Sequence, residues 1–399
     1  MIWRRKTWKV IGLLALASCF AGGEVFAEET IKVGVLGPRS GPAVATRRAF
    51  EEGLAVALEM INGEQGGVLG KKLEVIFEDS GGTPERAVSA LEKLVTRDGV
   101  VMTVGESHSI SALAEAVFAD QYQHPIIFAE AWADDITASG SKYVFRAGPC
   151  YSAVMTESLV GFASESEFKR VAIVAEKTDF GSGARALAEE GLRQSGIEFL
   201  TVETERNSWD YTVAMNTIKE FGPDLVLVLV YGLESQAVLA QAREMKLVPE
   251  QALILDGTVP PSLWPQFWKD GNSSGHSELL VARMHPNVDF SPFSKRFAIA
   301  YQERFGKQPV HVHSRSVFDV LLIAADAIRR AGSTDAELLI IALEQTNLEV
   351  AGGIASFDPL QPGSYRSHRW QSPMLIVQRQ NGEEVVVYPK QLATGALMR

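Results

Sequence analysis

From Ile31 onward the chain alternates two periodicities, and that alternation limits what it can fold into. Short continuous apolar runs are each followed by a stretch in which apolar residues recur every three or four positions. The first half reads Ile31 to Leu36, closed by Gly37-Pro38, then Phe50, Leu54, Leu58 and Ile61 up to Gly66-Gly67. Leu73 to Phe77 is followed by the stripe Ala87, Val88, Leu91, Leu94 and Val95, Val100 to Val104 by Ser111 to Phe118, and then comes Ile126 to Ala129. The alternation resumes with Val171 to Ala175, Ala184 to Leu192, Glu198 to Val202, Val213 to Phe221 and Leu225 to Val230. It continues with Glu234 to Met245, Leu253 to Leu255 and Leu279 to Ala282. A continuous apolar run fits a strand buried on both faces, and the wider spacing fits a helix with one buried stripe. Repeated in this order, the two predict parallel sheets covered by helices on both sides, an α/β fold.

The strands are too many for one comfortable sheet, and the pattern pauses at Arg146-Ala147-Gly148-Pro149, where a crossover to a second sheet is expected. Met284-His285-Pro286 and the stretch from Gly352-Gly353 to Pro359 are two further crossover candidates. Beyond residue 290 the chain is mostly helical, over Phe293–Phe305, Val317–Ala331 and Ala336–Leu343. It closes with strands Met374–Gln378 and Glu384–Tyr388 joined at Asn381-Gly382, a hairpin signal.

The first 27 residues follow another logic. Arg4, Arg5, Lys6 and Lys9 precede the apolar run Val10 to Phe20, which gives way to Val25-Phe26-Ala27. Basic, apolar and small-residue segments in that order read as a secretory signal peptide spanning 1–27, and the run is too short for a membrane-spanning helix. Leu16-Ala17-Ser18-Cys19 offers the alternative of a lipoprotein anchored at Cys19. Removing residues 1–27 leaves 34 basic against 48 acidic residues, a net charge of −14. Such a surface repels phosphate backbones, so no nucleic-acid partner is expected. Of two cysteines, Cys19 lies in the signal and Cys150 then stands alone, which excludes an internal disulfide and multi-cysteine zinc sites.

Motifs that carry chemistry are sparse. Gly181-Ser182-Gly183 follows a strand, but Glu176 to Phe180 intervene, whereas a dinucleotide site needs its first glycine at the strand end. Asp79-Ser80-Gly81-Gly82 has the composition of a serine-protease turn in the wrong fold context. His311-Val312-His313 places two imidazoles on one face of a strand, too few for a metal site without a nearby carboxylate. No histidine has an evident nucleophile partner, so no catalytic residues, no metal site and no cofactor are expected. What remains is geometry: in open parallel sheets, ligands sit at the carboxyl ends of strands. Those loops carry Arg39-Ser40-Gly41-Pro42, Gly105-Glu106-Ser107-His108-Ser109 and Ala131-Trp132-Ala133-Asp134 in the first half, and Asp179-Phe180, Tyr231 and Asp256-Gly257 in the second. Ser109 can hold an anion at a helix start or simply cap that helix, and Trp132 can face a ligand or the core.

Several stretches taken together resemble the periplasmic binding proteins of the leucine/isoleucine/valine type, the receptors of ABC importers. They are Ile31-Lys32-Val33-Gly34-Val35 through Ser40-Gly41-Pro42, Glu59-Met60-Ile61-Asn62 before Gly66-Gly67-Val68-Leu69-Gly70, and Asp79 ahead of Pro84. Asp179-Phe180-Gly181-Ser182-Gly183, Tyr301-Gln302-Glu303-Arg304-Phe305-Gly306 before Pro309, and the helix from Phe318-Asp319-Val320-Leu321 to Ala331-Gly332 complete the set. The resemblance covers Ile31 to Pro389. It implies a type I periplasmic binding protein: two doubly wound parallel-sheet lobes joined by three crossovers and closing on a ligand. Lobe 1 then comprises 31–147 plus 285–355, and lobe 2 comprises 148–284 plus 356–399.

By the same resemblance Ser109 holds the ligand carboxylate, Ala131 offers a backbone contact, Phe180 and Tyr231 supply aromatics, and Asp256 receives an ammonium group. Trp132 departs from the family, where a hydroxyl often follows the loop alanine, and would narrow the pocket or stack on a flat ligand. The expected function is a periplasmic solute receptor, not an enzyme, for an amino acid or similar small polar ligand, partnered with the membrane permease of an ABC importer. An amide, urea-like compound or aromatic acid is the alternative ligand. A ligand sensor is the alternative role, and an α/β enzyme the alternative class.

Overall fold

The computed structural model describes residues 29–39, 44–147, 152–230, 234–248, 250–257, 277–309 and 312–399. The expected signal segment and Cys150 lie outside them. Among the described residues, no helix is long and apolar enough to cross a membrane.

The first sheet is built from β1 (Thr30–Gly37), β2 (Lys72–Asp79), β3 (Met102–Gly105), β4 (Ile126–Phe128) and β5 (Val144–Arg146). Their order is β2-β1-β3-β4-β5, and every pairing is parallel. Helices α1 (Val44–Glu59), α2 (Pro84–Lys93), α3 (Ser109–Tyr122) and the short α4 (Asp135–Ala138) connect the strands. Period-two alternation sends successive residues to opposite faces. Val33, Val35, Ile127 and Phe145 enter one core with Phe50 and Leu54 of α1, while Leu36, Ile126, Phe128 and Val144 enter the other with Leu91 of α2 and Ala112 of α3.

The second sheet repeats the plan. Helix α5 (Ser152–Glu165) leads into β6 (Arg170–Glu176), α6 (Asp179–Gln194), β7 (Glu198–Thr204), α7 (Thr212–Phe221), β8 (Leu225–Leu229), α8 (Glu234–Glu244), β9 (Leu253–Asp256) and β10 (Glu278–Ala282). Two late strands, β13 (Leu375–Gln380) and β14 (Glu383–Tyr388), add on antiparallel to give β14-β13-β10-β9-β8-β6-β7. Asn381 and Gly382 take left-handed φ of 52° and 89°, the conformation a two-residue hairpin turn requires. In both sheets the first strand lies between the second and the third, so each has a point where the chain reverses direction across the sheet.

Between β10 and β13 the chain returns to the first sheet. Helix α9 (Pro292–Phe305) starts at a Ser291 capping box with Pro292 in its first turn, and α10 (Val312–Ala331) and α11 (Ala336–Glu344) follow, α11 capped by the Asp335 carboxylate. Phe297, Phe318, Leu321 and Leu343 of these helices join the core of β1 and α1. The contact is close enough that α1 presents Gly53 to the α10 backbone, where a Cβ would lie 2.1 Å from the Ser314 carbonyl oxygen.

The structure departs from the sequence reading at three places. Strand β5 and helix α5 flank the first pause, where only a crossover is expected. The stretch expected to hold the third crossover instead begins with a hairpin, β11 (Leu348–Val350) and β12 (Gly353–Ala355). The chain then stays with the first core: Phe357 and Trp370 are buried in it, and beside β5 the Arg146 N–H donates to the His368 carbonyl while the Trp370 N–H donates to the Arg146 carbonyl. It reaches the second core at Met374. Finally, His313 lies on α10 and not on a strand, with His311 outside the described residues.

Candidate functional site

The loop from β3 to α3 is shaped by a tight approach and a buried acid. Gly105 has φ 115°, and a Cβ there would sit 2.3 Å from the Leu36 carbonyl oxygen, so only glycine lets β3 end against β1. Glu106 follows, also left-handed at φ 57° and fully buried. Its Oε1 accepts the backbone N–H groups of Ser107 and His108 (2.7 and 2.8 Å), satisfying donors that the start of α3 leaves open. Against the opposing effect of burial, these bonds and the His108 imidazole lower the Glu106 carboxyl below the ordinary glutamate range. The bond to Glu106 raises His108 in return.

Ser109 opens α3, and its Oγ accepts the backbone N–H groups of Trp132 and Ala133, both at 3.0 Å. That bond joins the loop after β3 to the loop after β4. From the sequence Ser109 is either a cap or a ligand contact; in the structure its hydroxyl caps neither its own helix nor a turn, and instead pins the neighbouring strand-end loop. Ala131 is buried beneath this junction, and Trp132 is half-buried beside it. A hydroxyl has two acceptor positions and one donor, so with two N–H groups accepted, the Ser109 O–H proton is the part left to donate.

Below Trp132 lies a cluster that no motif signalled. Glu130, with a wholly buried carboxylate, accepts from Arg283 Nη1 at 2.7 Å, and His313 Nδ1 lies 3.1 Å away. The Arg283 guanidinium also lies over the Trp132 ring, 5.3 Å from its centroid. The histidine pair, which has no nearby carboxylate in the sequence, meets one at His313, but among the described residues no three potential ligands group as a metal site. One turn further on, Asp134 holds Arg146 Nη2 at 3.3 Å and accepts the Ala153 N–H of α5, tying the first sheet to the start of the second half. Burial raises the Asp134 carboxyl despite the nearby Arg146.

In the second sheet, Thr178 caps α6 by accepting the Gly181 N–H at 3.0 Å, and donates to Glu176 at 2.7 Å. A Cβ on Gly181 would lie 2.0 Å from the Glu176 carbonyl oxygen, so this glycine serves the packing of helix on strand end and not a phosphate. Phe180 falls in the first turn of α6, but its side chain, like all of Tyr231, lies outside the described residues. Asp256 ends β9 almost wholly buried, in register with Val228 of β8 and Leu280 of β10. Asp79 proves to be a turn former: it accepts the N–H groups of Arg39 and Gly81 (2.7 and 2.9 Å) and pairs with Arg86, while Ser80 is buried.

The structure therefore brings Ser109, Ala131 and Trp132 together at the carboxyl ends of β3 and β4, and sets Asp256 at the corresponding edge of the second sheet. A profile of the periplasmic binding proteins matches residues 30–383. The chain belongs to the periplasmic binding protein family. As such a binding protein, it is 25% identical over 392 residues to the Leu/Ile/Val-binding protein homolog 7 of Brucella melitensis, covering 94% of this chain and 95% of the relative. It is 25% identical over 339 residues to the leucine-, isoleucine-, valine-, threonine- and alanine-binding protein of Pseudomonas aeruginosa, covering 83% and 87%. Its fold matches that of an ABC-type branched-chain amino acid transporter protein of Rhodopseudomonas palustris, with a TM-score of 0.75 at 21% identity over 92% and 96% of the two chains. The substrate-binding protein LivJ of Streptococcus pneumoniae, solved with isoleucine, gives 0.68 at 23% identity over 90% and 100%. The two-sheet α/β architecture of this periplasmic binding protein is thus the type I fold.

Proposed function

We propose that this periplasmic binding protein is an exported solute receptor that takes a small polar ligand, an amino acid or a close analogue, into the cleft between its lobes and delivers it to the permease of an ABC importer. The observation that carries the reading is the Ser109 junction: a serine hydroxyl at a helix start, braced by two backbone N–H groups from the next strand end, with its proton left to donate. Such a site suits a carboxylate, because the helix start adds positive potential. Asp256 pairs with an ammonium on the opposite side, Ala131 contributes its backbone, and Phe180 and Tyr231 cover the ligand on closure. The named specificity of the Pseudomonas aeruginosa relative for aliphatic amino acids supports the class. No reaction is assigned, no cofactor is invoked, and residues 1–27 serve for export, with a lipid anchor at Cys19 as the alternative.

A thermal-shift panel of amino acids, amides and aromatic acids on protein stripped of bound ligand identifies what it binds, since a ligand of the native state raises the melting temperature. Calorimetry with that ligand then tests the roles. Hydrogen bonds to charged groups contribute about 1.5–3 kcal/mol, so Asp256→Asn should weaken binding roughly 10- to 150-fold. Ser109→Ala should cost less, because the N–H groups of Trp132 and Ala133 then turn to the ligand. Undiminished affinity in Asp256→Asn removes the ammonium assignment, and turnover of any panel compound removes the receptor reading.

A further inference from the structure

Three side chains far apart in sequence meet beneath Trp132. Glu130 leaves the end of β4, Arg283 follows the last residue of β10, and His313 lies in the first turn of α10. A buried carboxylate keeps its charge only when paired, and Arg283 supplies the pair at 2.7 Å. The guanidinium is thereby fixed at one edge by Glu130 and against one flat side by the Trp132 indole. Arginine can do both at once because its charge is spread over a plane; lysine carries a point charge and cannot stack. The indole is fixed in turn. Its backbone N–H is bonded to Ser109 and its ring is bonded to nothing but packing and this cation among the described contacts. A half-buried ring held in this way is a rigid, flat surface, and flat rings pack on one another in offset or edge-on geometry where branched aliphatic chains cannot.

We propose that Arg283 is a specificity-determining positioning residue: it holds Trp132 as a flat wall beside the Ser109 junction, so that the site selects carboxylates carrying a planar ring over branched aliphatic amino acids. This rests on the receptor reading above. It also explains why a bulky indole is tolerated next to a carboxylate site, because the cation behind the ring offsets the negative potential of its face. Arg283 opens the crossover out of β10, so the wall is fixed from the hinge and not from the first lobe alone.

The test uses full-length protein stripped of ligand, as parent, Arg283→Lys, Arg283→Met and the double variant Arg283→Met/Glu130→Gln, which leaves no unpaired buried carboxylate if the single change fails to fold. Each is compared with its own Trp132→Phe derivative, so that the difference in acrylamide quenching isolates Trp132 without any ligand. Calorimetry compares phenylalanine with leucine, which differ in the side chain alone, and adds 4-hydroxybenzoate as a ring bearing only a carboxylate. The parent should bind the better of the two ring compounds at least tenfold more tightly than leucine. Arg283→Met should lower that ratio about tenfold and raise the quenching of Trp132, with Arg283→Lys behaving like Met and not like the parent, although the ion pair survives in it. A parent that prefers leucine or binds neither ring compound overturns the planar-ligand assignment. Unchanged Trp132 quenching, or a ratio restored by lysine, overturns the positioning role. Failure of every panel compound to shift the melting temperature counts against the receptor reading instead, and leaves the quenching result to decide whether Arg283 positions Trp132.

Discussion

Glu115, on the second turn of α3, has its carboxyl fully buried next to Glu106. Burial first, and then the like charge of Glu106, push it well above the ordinary glutamate range. A carboxyl raised in the folded state binds its proton more tightly there than in the unfolded chain. Its contribution to stability is therefore complete below the usual glutamate pKa and is lost as the pH rises beyond it, by about 1.4 kcal/mol for each unit of elevation. Asp319, pushed up to about 7 mainly by its burial, works in the same direction between about pH 4 and 7. Glu115→Gln stays neutral throughout, so its melting midpoint should exceed that of the parent at pH 8 by several degrees and match it near pH 4. Parallel pH profiles would show that Glu115 is not the source of the decline. At this scale the sequence reveals strand ends but not partners. Ser109 and Trp132 could be placed at neighbouring strand ends because apolar runs stop just before them. The bond between them could not be foreseen, and neither could Arg283 on Glu130, whose residues are 153 positions apart and follow no local spacing.

Most long helices and strands followed the apolar pattern, the exception being the 14-residue α5, which follows the first pause. The other elements that escaped it are short and carry polar residues: β5 is three residues ending in Arg146, and β11 is Leu348, Glu349 and Val350. Such segments have no period to read, and become strands only because a neighbour supplies the other half of the ladder. The late third crossover has the same origin, since the stretch around Arg369 and Trp370 is held by bonds to the edge at Arg146 and not by a pattern of its own. Gly53 separates local preference from packing in a measurable way. In an isolated helix, replacing glycine with alanine is favourable by up to about 1 kcal/mol. Here the added carbon would meet the Ser314 carbonyl oxygen and the Val317 side chain. Gly53→Ala should therefore destabilise by about 1–3 kcal/mol through overpacking, read as a lower urea midpoint at unchanged slope. A rise in the midpoint would mean that α1 and α10 are free to move apart.

Among the described residues, few bonds tie the two halves besides the covalent crossovers and the contacts of Glu130 with Arg283 and of Asp134 with Ala153 beside them. Glu157 of α5 pairs with Arg366 at 2.6 Å and accepts from the Tyr365 hydroxyl at 2.8 Å, and both groups of the ion pair are substantially exposed. Exposed pairs contribute only about 0–1 kcal/mol, so this pair opposes opening weakly and a ligand gripped from both sides favours the closed form. Small-angle scattering should show a smaller radius of gyration with saturating ligand; an unchanged radius with a ligand proven to bind would mean that the lobes do not close on it. The same interlacing governs how the chain can be made and divided. The face of the first sheet that packs Val33, Val35 and Phe145 is covered by Phe297, Phe318 and Leu321, which follow the whole parallel part of the second sheet in the sequence. At about 5–20 residues per second, a ribosome needs on the order of 10–40 s to proceed from residue 147 to residue 344, and during that time the sheet is complete while this face is covered by α1 alone. Neither half corresponds to a continuous piece of the chain, so no single cut yields a lobe with a finished interior, and the two can be exchanged between relatives only by moving several segments together.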